Sequence, residues 1–151
     1  MRTLLLFAVA CGLTPQAASS ASHADPRAFL NRVVAYEARS DTGGLRSPTF
    51  LGFLSPRLRK AVRADISHSD VGGLDYDPIC QCQDTVALRI VSVVAKGLSA
   101  VATLAAGAGT DRVIVHLHLV ERDGEWSIAD ISTKAQPSLI KELESEGVKD
   151  R

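Results

Sequence analysis

From Thr85 onward the chain alternates Val, Ile and Leu with polar residues and interrupts the pattern with short glycine-bearing turns. Little besides an antiparallel sheet accommodates that period of two. Strands are expected at about 85–95, 99–106, 112–121 and 125–132, joined by Lys96-Gly97, Ala106-Gly107-Ala108-Gly109 and Arg122-Asp123-Gly124-Glu125. Such connections are too short for a crossover, so consecutive strands should pair as a meander. The two-residue Asp123-Gly124 turn also fixes register. It sets Arg122 opposite Glu125, Glu121 opposite Trp126, Leu119 opposite Ile128 and Leu117 opposite Asp130. An unbroken ladder would then put Asp130 on the apolar face with Val113 and Val115. His116 and His118 would share the other face with Ile114, Val120, Ala129 and Ile131.

The first half has a different period. Asp25-Pro26 opens a segment with Phe29, Leu30, Val33 and Tyr36 at helical spacing, stopped by Ser40-Asp41-Thr42-Gly43-Gly44. Ser55-Pro56 repeats the cap-plus-proline signal, with Leu58, Ala61, Val62 and Ile66 on one face and Arg57, Arg59, Lys60 and Arg63 on the other. That basic face reads as a solvated one rather than a docking site. A last helix is expected from Pro137 to about Glu146. The fold class is therefore α+β: N-terminal helices packed on a curved antiparallel sheet of about four strands, with a C-terminal helix.

Ahead of these elements, Arg2 precedes the short apolar run Leu4–Leu13, and small residues follow from Ala17 to Ala24. Charge, run and small residues together read as a secretion signal over residues 1–21, with cleavage after Ala21 preferred to cleavage after Ala24. A cut after Ala24 would place a new ammonium group on Asp25, at the start of a helix where positive charge is unfavourable. A lipid anchor on Cys11 is disfavoured because the apolar run before it is short. No stretch approaches the roughly 20 apolar residues of a membrane span. Residues 22–151 then form a single exported domain, periplasmic or secreted, of a size that can bury a real core. Seventeen acidic residues balance seventeen basic ones, and losing Arg2 leaves the exported form one charge negative. Nothing in that balance favours nucleic acid or an anionic membrane.

Candidate functional residues cluster in two places. The segment Leu74-Asp75-Tyr76-Asp77-Pro78-Ile79-Cys80-Gln81-Cys82-Gln83-Asp84 gathers Asp75, Asp77, Gln83 and Asp84 as possible ligand-binding groups. It lacks the spacing and glycine of a calcium loop, so no metal is expected there. Cys80 and Cys82 are the cysteines left after export and form a candidate disulfide, which at this spacing requires a turn. Nothing in the sequence sets them beside His116 and His118 as a zinc set. The second place is the last strand, where Trp126 and Asp130 complete the candidates, Asp130 either as an acid in an apolar concavity or as an acceptor for backbone amides or an arginine. No serine sits in a Gly-x-Ser-x-Gly context, no cofactor fingerprint occurs, and no cofactor is expected.

The Leu74–Asp84 segment, the strand Glu125-Trp126-Ser127-Ile128-Ala129-Asp130-Ile131 and the closing Ser138-Leu139 together resemble the bacterial domain-of-unknown-function family 3828. The resemblance covers roughly Phe29 to Leu143. It implies a fold of the nuclear-transport-factor-two-like and cystatin-like group, helices packed into a curved sheet, and it implies no activity. Many members carry other residues at the positions of Cys80 and Cys82, so a role for that pair is not a family-wide expectation. The preferred function is a non-enzymatic module holding a small molecule, peptide or envelope protein. Alternatives are a small hydrolase or isomerase using pocket carboxylates, and an inhibitor or immunity protein against an envelope-acting toxin.

Overall fold

A computed structural model describes residues 24–39, 44–68, 74, 76–83 and 86–149. The secretion signal expected at residues 1–21 lies outside them. Three helices in the first half start by the same device. Helix α1 (Pro26–Glu37) has Asp25 as its N-cap, the carboxylate accepting the Arg27 N–H at 2.9 Å. Helix α2 (Pro48–Phe53) begins with Ser47 Oγ accepting the Thr49 N–H at 3.2 Å. Helix α3 (Pro56–His68) follows Ser55, whose Oγ accepts from the Leu58 N–H at 3.4 Å. In each, the proline gives up an N–H that would have no partner in the first turn. Helix α2 was not among the expected elements, although Ser47-Pro48 carries the same signal as the other two. Its Phe53 stands edge-on to Phe29 and Tyr36, at ring separations of 6.0 and 5.5 Å, and so fastens it to α1.

The second half is a four-stranded antiparallel sheet, β1 (Leu88–Lys96), β2 (Ser99–Ala106), β3 (Val113–Arg122) and β4 (Glu125–Ser132), in the spatial order β1-β2-β3-β4. Helix α4 (Leu139–Lys149) closes the chain, so the α+β architecture stands. Asp123 and Gly124 both take positive φ, 53° and 80°, the geometry a two-residue turn needs to match the strand twist. The helices cover one face. Ala102, Leu104, Val115, Leu117, Leu119, Trp126, Ile128 and Ile131 point into it, against Phe29, Leu30, Val33, Phe50, Leu58, Val62 and Leu139. The outer edge of β4 is also engaged, because Leu54 bridges to Ile128 and the Ser55 N–H donates to the Ile128 carbonyl at 2.8 Å.

The register follows expectation from Arg122 and Glu125 as far as Leu119 and Ile128, then departs from it. A bulge at Ala129 pairs His118 with Asp130 and Leu117 with Ile131. Ile131 is fully buried on the helix-covered face, and Asp130 leaves that face. The apolar residues explain the shift: Trp126, Ile128 and Ile131 are spaced two and then three apart, and only an extra residue lets all three point inward. A second bulge, at Val91, interrupts the pairing of β1 with β2.

Candidate functional site

The cysteine segment is built around one carboxylate. Asp77 Oδ1 accepts from the Ile79 N–H at 2.8 Å, the Asp77 carbonyl accepts from the Gln81 N–H at 2.7 Å, and the Asp77 N–H donates to the Cys82 carbonyl at 2.8 Å. Gln81 takes a left-handed φ of 57° to close this turn. The turn brings the Cα atoms of Cys80 and Cys82 to 5.2 Å, within disulfide range, and the two are bonded. Ile79, fully buried, anchors the loop in the core, while Gln83 is exposed. Asp75 and Asp84 lie outside the described residues.

Beneath the loop is a group the sequence reading missed. Glu37, at the end of α1, continues the stripe of Leu30 and Val33 and faces inward. Its carboxyl is pushed up to about 9, first by burial, then by the negative charge of Asp77 and by a hydrogen bond with the Asp77 side chain. A protonated Glu37 donating to the Asp77 carboxylate therefore joins α1 to the cysteine loop. The helical spacing of Glu37 to Val33 and Leu30 was the available signal. Glu37, Asp77 and Cys80 are the one grouping of potential metal ligands among the described residues, and there the Cys80 sulfur is already committed to Cys82.

Asp130 serves α4. Its carboxylate accepts from the Ser138 hydroxyl at 2.6 Å, the Ile140 N–H at 3.1 Å and the Ile131 N–H at 2.9 Å. Trp126 is buried, its indole N–H donating to the Ala24 carbonyl at 2.6 Å, and it forms one wall of a groove of about 490 Å³ with Phe29, Arg32 and Phe53. No hydrogen bond joins Asp130 or Trp126 to the cysteine loop among the described residues. The candidates are thus dispersed. The basic face of α3 is half consumed by structure as well. Arg57 makes a two-pronged contact with Glu144 at 2.9 and 2.7 Å, holding that carboxyl below its ordinary range, and Arg59 donates to the Leu54 carbonyl at 2.8 Å.

The sheet face away from the helices is different in kind. Cross-strand pairing sets Val94, Val101 and His118 in one row, and Ser92, Thr103, His116 and Ser132 in the next. His116 Nδ1 meets Thr103 Oγ1 at 3.2 Å, and His118 Nε2 meets Ser132 Oγ at 3.0 Å. The second contact has the length of a nucleophile–base pair, yet no orienting carboxylate completes it among the described residues, because Asp130 gives its oxygens to Ser138, Ile131 and Ile140. Around these polar groups, Val94 is 68% exposed, and Val101 and Ile114 are 40% exposed.

The same chain fold occurs in an effector–immunity complex. The native type VI effector–immunity complex Tae3–Tai3 from Ralstonia pickettii contains a chain matching this one with a TM-score of 0.56 and 20% identity, over 74% of this chain and 96% of that chain. The selenomethionine form of that complex matches with a TM-score of 0.56 and 22% identity, over 73% and 97%. At such identity the likeness is one of fold. No family model and no curated protein matches the sequence. Among the described residues, no helix is long and apolar enough to cross a membrane.

Proposed function

We propose that this chain is an exported immunity-type protein, which binds a partner protein in the cell envelope and blocks it. The observation that carries this is the fold shared with a chain of the effector–immunity complexes, along nearly the whole of that chain. The site chemistry supports binding over turnover. The Cys80 and Cys82 sulfurs are joined, Asp77 shapes their turn, Asp130 caps α4, and the Trp126 indole is tied to Ala24. These candidate groups have structural occupations and lie apart, whereas an enzyme needs its nucleophile, acid and base converging on one point. Export follows from the leader at residues 1–21.

The test uses the exported form, Ser22 onward, with the purified envelope-acting effectors of the source organism. The effector of the Ralstonia pickettii complex serves as a non-cognate comparison. One of the organism's effectors should co-elute with the protein as a stoichiometric complex, and cells exporting that effector should survive only when they also export this chain. Absence of both complex and protection across the whole set defeats the reading.

A further inference from the structure

We propose that the open face of the sheet, centred on Val94, Val101 and Ile114, is the docking surface for a partner protein that presents an apolar patch rimmed by carboxylates. The inference rests on the immunity-type reading and names its surface and the chemistry it would take.

Three observations select this face. First, of the large apolar side chains that remain exposed among the described residues, Val94, Val101 and Ile114 stand on this face of β1, β2 and β3. Val91 lies at the β1 bulge and Leu98 in the turn after that strand, while Val113 alternates with Val115 toward the covered side. Concentration of exposed apolar side chains in one region is the mark of an interaction surface, whereas scattered ones are ordinary. Second, the histidines between them each already make one side-chain hydrogen bond, His116 Nδ1 with Thr103 and His118 Nε2 with Ser132. A partner that covers them has the second ring nitrogen of each histidine left to satisfy, so these bonds lower the polar penalty of burying the face without removing it. Third, β1 and β2 carry two charged residues, Arg89 and Lys96, both cationic and at opposite ends of β1, with no acid on either strand. Cations at the rim of an apolar centre match an acidic rim on the partner.

The same charges argue against a second copy of the chain. Two copies meeting face to face or along β1 would bring Arg89 and Lys96 of one toward the like charges of the other, and charged residues on an edge strand are a common guard against such pairing. The alternative docking region, the basic face of α3, has spent Arg57 on Glu144 and Arg59 on Leu54.

The test measures affinity and association rate for whichever effector the wild-type protein binds. Val94→Glu combined with Ile114→Glu alters two exposed positions that are not cross-strand partners, and a thermal melt verifies folding. Affinity should fall by at least roughly 30-fold, the size of a hot-spot loss. Arg89→Glu with Lys96→Glu should slow association about tenfold at low salt and reverse the sign of its salt dependence. Lys60→Glu with Arg63→Glu, on α3, should leave binding within about twofold, as changes outside the interface do. If the Val94/Ile114 variant is folded and binds like wild type, the surface is wrong while the immunity-type reading stands. If the Arg89/Lys96 variant associates at the wild-type rate, the acidic-rim partner is wrong. If the wild-type protein elutes as a dimer that the Val94/Ile114 variant splits, with effector affinity unchanged, the face belongs to a second copy. If the wild type binds no effector, both proposals fall.

Discussion

The two faces of β3 solve different problems with the same backbone. Val115, Leu117 and Leu119 point inward and are excluded from water, whereas Ile114, His116, His118 and Val120 point outward and retain contact with it. The inward set is stabilised by apolar burial against α1, α2 and α3, and its cost of change is set by cavities. The outward set is only partly covered among the described residues, and its histidines are held by hydroxyls of β2 and β4. Stability therefore resides on one side of the sheet, and the other is free to be shaped by recognition.

The strongest way to break that comparison is a matched pair of truncations. Ile128→Ala on the covered face should cost about 2–5 kcal/mol in denaturant melts. Ile114→Ala on the open face should stay within about 0.5 kcal/mol of wild type. Equal losses would show that the outer face is also part of the core.

The covered side should also show a pH signature from Glu37. Its carboxyl is near 9 in the folded protein against an ordinary value of 4.5, so the folded chain keeps a proton that the unfolded chain releases. The resulting stabilisation is fully present below the unfolded value and is lost as pH rises through about 9. Melting temperatures at acidic, neutral and alkaline pH should fall across that window for wild type and flatten for Glu37→Gln. A Gln variant with the wild-type slope would remove Glu37 as the cause.

A smaller effect belongs to Asp130, which sits between the faces. Asp130→Asn keeps the shape but loses charge-assisted acceptance from Ser138 and Ile140, so about 1 kcal/mol of stability should go with it. An Asn variant as stable as wild type would mean the carboxylate is not needed where it caps α4. The smallest effect lies on the cysteine loop. Cys80 and Cys82 enclose a single residue, and a ring that short removes little chain entropy from the unfolded state. Reduction should lower the melting temperature by only a few degrees, as expected for a change below about 1 kcal/mol. A collapse of the fold on reduction would overturn that expectation.

The strands, three of the four helices and the upper register were legible because each rests on a short-range signal: alternation, a cap followed by proline, an Asp-Gly turn. The lower register was not read, since the bulge at Ala129 depends on which apolar residue the core selects. The spacing of Ile128 to Ile131 announces it only when the two are required to share a face. Glu37 was missed for a related reason: a carboxylate on an apolar helical stripe looks like an interruption until its partner, Asp77, is brought to it by the tertiary fold. Asp130 was expected on the apolar face, either as an acid or as an acceptor for backbone amides; the bulge takes it off that face, and it accepts from the amides of Ile131 and Ile140.

Because strands neighbouring in sequence are also neighbours in space, each hairpin can close without waiting for distant chain. The slow step should be the one that must reach far, in which Leu54 and Ser55 find Ile128 and the helices of the first half settle onto the finished sheet. Until then the apolar stripes of α1 and α3 have no lid. A chain that emerges N-terminus first presents those helices before the surface that will cover them exists, so their apolar stripes are an aggregation hazard until the last strand is made.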